Sequence, residues 1–384
     1  MDSSKASLNY IHLDFARGVA AILVLIGHLR AFYFPQYDEL ANPTLFTKLL
    51  YFITGFGYEA VIVFFVLSGF FITKSISGMV GRGAWSWELY LVHRVARLWT
   101  VLIPALLITL CFDMTALATS NGGYYAGDYA AAYARGPVPD TGTDLSFVVF
   151  LQNVFFLQTV TAPIYGSNFP LWSLAYEFWY YVLFPLAFIP FATNQSVLHK
   201  VGSLVLFVVI CALLPEDMII LGGVWLLGSA TFFLHRAQVG RSLLSKPIVL
   251  LACLAFLLMA AALVRVDFVS YGYVPDYFVG VAMSLFLLAF SNLTAGIPLY
   301  TVVTNFISKI SYSLYAVHDP FLAFIFSVFL ANQQFAHGMG AYAGFVLLFA
   351  LSMLFGFVFY WLFERNTQKV DALLQRLVNV RRSS

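Results

Sequence analysis

Apolar runs bounded by charged, Gly and Pro residues recur along nearly the whole chain, at about 13–34, 58–78, 89–111, 170–190, 197–214, 218–234, 247–264, 274–291, 310–330 and 341–363. A helix of about 20 apolar residues at ~1.5 Å per residue covers the ~30 Å hydrocarbon core of a bilayer. The pattern therefore predicts an all-α polytopic transmembrane bundle of about ten spans. Two segments break it. Residues 112–145 carry Tyr124, Tyr125, Tyr129 and Tyr133 with Asp113, Asp128, Asp140 and Asp144, and read as a polar, Gly-rich outer loop. Residues 146–160 are apolar but short and interrupted by Gln152, Asn153 and Gln158, so they read as a re-entrant or interfacial piece within an outer region 112–169. A full span there would invert every later helix.

Composition agrees with the pattern. With 61% hydrophobic and 10% charged residues over 384 positions, the chain is excluded from the ordinary soluble class. The formal charge of +2 gives no reason to expect a nucleic-acid partner. The distribution of charge is more informative. If the N-terminus is cytoplasmic, sixteen of the twenty Lys and Arg fall on inner ends and loops, and only Arg30, Lys48, Arg135 and Arg265 fall outside. Both termini are thus expected in the cytoplasm, with 1–12 and 364–384 as cytoplasmic segments of one domain spanning 1–384. The first apolar run is too long for a cleaved signal peptide. Cys111, Cys211 and Cys253 lie singly in apolar stretches, without disulfide or metal spacing.

Ionisable groups inside these spans are costly and mark candidate chemistry. In the first span Arg17 and His28 are eleven residues apart. Eleven steps of ~100° return to within about 20° of the same face, ~16 Å further along the axis, with Asp14 on that face too. A plain Arg–Asp pair with a packed histidine accounts for these residues equally well. The third span opens His93-Arg94-Val95-Ala96-Arg97, two guanidiniums at i and i+3 that suit phosphate groups or simple membrane anchoring. In the fourth, Ser173, Glu177 and Tyr181 form a stripe at i+4 spacing. The predicted topology puts Glu177 ~10 Å and His28 ~9 Å below the outer surface, so the carboxylate is expected to orient the imidazole. An interhelical structural hydrogen bond would leave the same trace. Ser311, Tyr315 and His318 share a face of the ninth span, and Pro320 is expected to kink it.

Taken together these residues resemble the acyltransferase 3 family of integral membrane acyltransferases. LDFARGVAAILVLIGH is similar to the family's Arg-x10-His first-helix motif, and FFVLSGFFI (64–72) to its second-helix signature. HRVAR is similar to its arginine pair, LWSLAYEFWYYVLFP (171–185) to its Trp-Ser-Leu…Glu helix, and ISYSLYAVHDP (310–320) to its late Ser-Tyr…His-x-Pro segment. The likeness runs from about residue 8 to 365. It departs where Leu98-Trp99-Thr100 lacks the proline that often closes the arginine motif, and where Glu364-Arg365-Asn366 lacks the one after the glutamate.

The resemblance implies acyl-coenzyme A, by default acetyl-coenzyme A, as a cytoplasmic donor with no metal. It places Arg17, Arg94 and Arg97 near the donor phosphates and His28 as the catalytic histidine; Ser311, Tyr315 and His318, from their shared face, are expected to line the same cavity along the donor path, although a packed core histidine accounts for His318 alone. Direct transfer and an acyl-histidine intermediate both fit. The expected acceptor is a hydroxyl of an extracytoplasmic glycan or lipid-linked glycan, and the expected setting is the bacterial inner membrane. The rival readings are a transporter or flippase that uses the same polar stripe, and an acyltransferase for a small lipophilic acceptor.

Overall fold

The computed structural model describes residues 10–119, 123–127, 143–290 and 298–378. Its helices are α1 (Ile11–Tyr33), α2 (Leu45–Ile53), α3 (Gly57–Gly81), α4 (Trp87–Thr119), α5 (Phe147–Val154), α6 (Leu171–Ala192), α7 (Val197–Leu213) and α8 (Glu216–Arg236). They continue as α9 (Arg241–Leu244), α10 (Pro247–Arg265), α11 (Val274–Phe290), α12 (Pro298–Phe324), α13 (Met339–Leu362) and α14 (Thr367–Leu377). Eight helical stretches are long and apolar enough to cross a membrane, and α7 and α11 are shorter apolar helices. These ten overlap the ten runs read from the sequence, although α12 begins at Pro298, twelve residues before the run read at 310–330. Among the described residues there is no strand, and the all-α polytopic bundle is the observed fold.

Local signals set the helix starts. Thr44, Ser146 and Ser196 each accept a hydrogen bond from the backbone N–H three residues on, at Thr47, Val149 and His199, which satisfies an otherwise orphan donor. Pro247 occupies the first turn of α10, where its missing N–H removes no helical bond. Between α3 and α8 the backbones themselves touch. A Cβ at Gly69 would overlap the Trp225 carbonyl, and one at Gly228 the Val66 carbonyl. Small residues at such a crossing are what lets apolar helices pack closely without a hydrophobic driving force between them.

The bundle is built around α1 and α12, which share its most extensive helix–helix interface. They run parallel: His12 meets Tyr300, Gly18 faces Ile307, and His28 meets Asp319. α3 runs antiparallel to α1, with Tyr10 against Phe70 and Phe71 at one end and Gly27 against Thr54 and Gly57 at the other. At the periphery, α7 has no buried residue and only 6% of the α10 span is buried. In an apolar helix that is the signature of a lipid-facing position.

The outer region also differs from expectation. α4 runs on to Thr119, so residues 112–119 are helix and not loop. Asp113 can sit in that helix because it is fully hydrogen-bonded: its carboxylate accepts from the Tyr125 hydroxyl (2.8 Å), the Ser167 hydroxyl (2.7 Å) and the Ser167 N–H (2.7 Å). Tyr124 and Tyr125 are buried at 2% and 3% exposure and pack into the bundle, Tyr124 forming part of a cavity wall. Tyr129, Tyr133, Asp128 and Asp140 lie outside the described residues.

Residues 147–170 form the eight-residue α5 and then irregular backbone. That backbone is buried in protein and bonded by side chains. Asn153 donates to Val149 O and Pro163 O, Gln158 donates to Leu171 O, and Trp99 and Trp179 donate to Val154 O and Phe156 O. Non-helical chain at this depth is tolerated only under such cover. Its consequence is that α6 begins deep inside the bundle.

Candidate active site

Two cavities lie end to end along α1 and α12. The larger, about 360 Å³, is lined by His28, Arg30, Tyr58, Phe169, Trp172 and Asp319 among others. The smaller, about 80 Å³, is lined by Arg17, Arg97, Glu177, Tyr181, Ser311 and Tyr312 among others. Tyr315 lines both. The large cavity is within the ~300–1,000 Å³ range of small-molecule sites, whereas the small one admits only a narrow group.

In the large cavity the side chain of His28 keeps 36% of its surface exposed while that of Asp319 keeps 5%. His28 Nδ1 lies 2.8 Å from Asp319 Oδ1 and 3.2 Å from His318 Nε2. The tautomers follow from counting donors. His318 Nδ1 sits 3.0 Å from Leu314 O and 2.9 Å from Tyr315 O, two acceptors, so it carries the proton and its Nε2 carries the lone pair. His28 Nδ1 then faces two acceptors as well, a carboxylate and an imidazole lone pair. It must be the protonated nitrogen of His28, leaving Nε2 as a base. The ligand-capable atoms of His28, His318 and Asp319 all lie within 4.8 Å of one another, and hydrogen bonds join His28 to each of the other two.

This geometry corrects two expectations. The carboxylate beside His28 is Asp319, not Glu177, and His318 supports His28 directly, without lining either cavity. Glu177 accepts hydrogen bonds from Ser68 (2.8 Å) and Tyr181. Ser68 lies eleven residues along α3 from Gly57, which packs at the level of Gly27, so Glu177 is ~16 Å away along the axis, level with Arg17. The depth estimate fails because the buried segment before α6 starts that helix inside the bundle, where Ser173 already bonds Tyr315.

The small cavity gathers the charges of the other end. Arg17 pairs with Asp14 at 2.8 Å, and its further electrostatic neighbours are Arg97, Glu364 and Glu177. Glu364 accepts from the Ser313 N–H (3.1 Å) and hydroxyl (2.5 Å). Arg97 is exposed while lining the cavity, so this end opens outward past a guanidinium. The expected arginine pair splits: Arg94 lies over the Tyr90 ring at 5.7 Å and does not line the cavity. Ser311 lines it while donating to Ser308 O at 2.8 Å.

Sequence reading gave no site role to Asp319 or Ser68, which it met only inside longer motifs, and took Asp113 for part of a polar loop. Asp319 and Asp113 carried a usable signal, a carboxylate within an apolar run, which is expensive unless paired or functional. Ser68 carried none, since a hydroxyl in a membrane helix commonly bonds its own backbone.

No curated protein and no solved structure matches this chain significantly. The sequence model of the acyltransferase domain family matches residues 10–362, which takes in every helix that lines the two cavities. With a multi-pass helical bundle around a half-exposed histidine paired to a buried aspartate, the chain belongs to the acyltransferase 3 family and is a membrane acyltransferase.

Proposed function

We propose that the protein moves an acyl group, acetyl by default, from acyl-coenzyme A at the Arg97 end to a hydroxyl of a glycan, free or lipid-linked, at the His28 end. The observation that carries this reading is the stacking of the two cavities on one helix pair, with Arg17 and Arg97 at one end and an oriented imidazole base, in a cavity that Arg30 also lines, at the other. An ~80 Å³ chamber is too small for a nucleotide. The donor's nucleotide phosphates would therefore stay at the open mouth beside Arg97 and Arg17, and only the thin pantetheine arm would enter. The ~16 Å between Arg17 and His28 is within that arm's reach.

The positive-inside bias of the sequence supports a cytoplasmic position for the Arg97 end. In the outer cavity the rings of Trp172 and Tyr58 lie near parallel, 15° apart, and offer flat apolar faces of the kind that sugar rings stack on.

The chemistry needs three moves. His28 Nε2 takes the proton of the acceptor hydroxyl as its oxygen bonds the thioester carbonyl carbon. Asp319, on Nδ1, stabilises the imidazolium that forms. The carbon–sulfur bond then breaks, and the imidazolium returns the proton to the leaving thiolate. General-base assistance of this kind is worth about 10²–10⁴-fold.

The test is transfer of radiolabel from acetyl-coenzyme A to an envelope glycan extract by purified protein, with His28→Ala as control. Label incorporation that depends on His28 is expected. Movement of a glycan across the membrane without thioester consumption would replace the reading with a transporter, and labelling of the lipid fraction alone would replace the glycan with a lipophilic acceptor.

A further inference from the structure

The two cavities meet at one side chain. Tyr315 is 8% exposed, and its hydroxyl lies 2.6 Å from Ser173 Oγ and donates to Pro170 O at 3.1 Å. Ser173 Oγ also reaches Pro170 O, at 3.1 Å. These three oxygens close a triangle at the start of α6. Phe64, which lines only the small cavity, packs edge-on against the Tyr315 ring at 5.5 Å. His318 flanks the same ring at 5.9 Å. A phenol held at its hydroxyl and wedged on its flanks is a partition, not a loose side chain.

The latch that holds it belongs to the wall of the other cavity. Phe169, Pro170 and Trp172 all line the large cavity. The preceding residues are tied down, Ser167 to Asp113 and Asn168 to Thr109 Oγ1 and Ala316 O. A molecule that seats against Trp172 therefore presses on the short stretch whose carbonyl and hydroxyl hold Tyr315.

A base such as His28 Nε2 activates water as readily as an alcohol. Water would lose its proton to Nε2, its oxygen would bond the thioester carbon, and the products would be a carboxylic acid and the free thiol. An acyltransferase in a wet cavity needs a means of preventing this. We infer that Tyr315, latched by Ser173 and the Pro170 carbonyl, is the residue that selects the acceptor over water: it keeps the thioester in the small cavity, apart from His28, until an acceptor occupying the large cavity releases the latch. This rests on the proposed acyl transfer, whereas the partition itself is a property of the two cavities.

The experiment reads the two separately. In the full-length protein, with Cys111, Cys211 and Cys253 changed to Ala, a single cysteine is placed by Ser311→Cys in the small cavity. The protein is reconstituted in sealed vesicles and exposed, from each side in turn, to a membrane-impermeant cationic methanethiosulfonate. With Tyr315 intact, the cysteine reacts from the Arg97 side only. With Tyr315→Ala it reacts from both. Equal reaction from the His28 side in the two backgrounds overturns the partition.

In the second arm, acceptor-free release of thiol from acetyl-coenzyme A is measured with all native residues otherwise present. Tyr315→Phe and Ser173→Ala keep the packing and remove only latch hydrogen bonds, so each raises this hydrolysis about fivefold, the worth of a net hydrogen bond. Tyr315→Ala raises it further. If the latch variants transfer label to acceptor but hydrolyse no faster than the native protein, the selective role is overturned even where the labelling pattern holds. If no form consumes the thioester, the acyl-transfer reading fails instead, and the labelling result still decides the partition.

Discussion

Asp319→Asn is the sharpest test of the acid–base arrangement, because it changes one atom type and almost no volume. In the native site His28 Nδ1–H donates to Asp319 Oδ1 at 2.8 Å, and the Asp319 side chain is 5% exposed. The amide has two ways to settle. If its oxygen faces Nδ1, the tautomer survives and only the charge that stabilises the imidazolium is lost. If its NH₂ faces Nδ1, the proton is forced onto Nε2 and the base disappears. The first outcome costs about 10² in rate and the second about 10⁴, the range general-base help covers. As barriers these are ~2.7 and ~5.5 kcal/mol. The assay is single-turnover transfer of label from acetyl-coenzyme A at saturating donor, beside a donor-binding measurement that should not move. His28→Ala sets the floor. The double variant should fall no lower than His28→Ala, since two residues acting through one proton are not additive. A rate within about threefold of native for Asp319→Asn, or a double variant that loses the product of both effects, would refute the tautomer reasoning.

Four further outcomes follow from the geometry. Arg17→Ala and Arg97→Ala should each weaken donor binding by roughly 10–100-fold, the worth of a charged hydrogen bond, while Arg94→Ala, whose guanidinium lies over Tyr90, should change it by less than about threefold; isothermal titration with coenzyme A reads both. Glu177→Gln should act on the donor side, raising donor KM with kcat nearly intact, because its partners are Ser68 and Tyr181 and not His28; a pure loss of kcat would return it to the base. Asp113→Ala strands three buried donors and should destabilise by roughly 3 kcal/mol or more, seen as a lower melting temperature in detergent. Gly69→Ala and Gly228→Ala should lower folded yield by forcing α3 and α8 apart, whereas Gly202→Ala, with open space around it, should not.

Much of this protein was legible because a bilayer makes one rule strict: every span must be an apolar helix with its backbone satisfied internally. Hence all ten runs could be located. Arg17 and His28 were legible for the same reason, since a guanidinium and an imidazole on one face of a single helix have a separation set by the helix alone. Relations between helices were not. Glu177 was assigned to the wrong partner because its depth was counted from a presumed membrane surface, and α6 starts beneath that surface after a buried irregular segment. Arg94 was grouped with Arg97 because i and i+3 share a face, but a helix face ~100° wide can divide between a cavity and a neighbouring ring. Asp113 looked like loop because its polarity was visible and its three donors, two of them from Ser167, were not.

That difference explains why the two ends of the site lie on α1 and α12. Two sites that must exchange a group at fixed distance need a support that does not stretch, and a helix fixes ~1.5 Å per residue whatever its neighbours do. α1 holds Arg17 and His28, while α12 holds Ser311, Tyr315 and Asp319, one step at a time along the same axis. The two run parallel and lock at three levels, at His12–Tyr300, Gly18–Ile307 and His28–Asp319. Gly18 is what permits the middle contact, since a Cβ there would run into the Ile307 side chain. Further walls come from α3, α4 and α6, which contribute the Phe64 flank, the Arg97 mouth and the Ser173 latch. The spacing of the two ends thus sits in one helix pair, and the helices around it supply the sides. On the proposed reading, a donor gripped at one end of that pair meets a base at a spacing set by α1 itself.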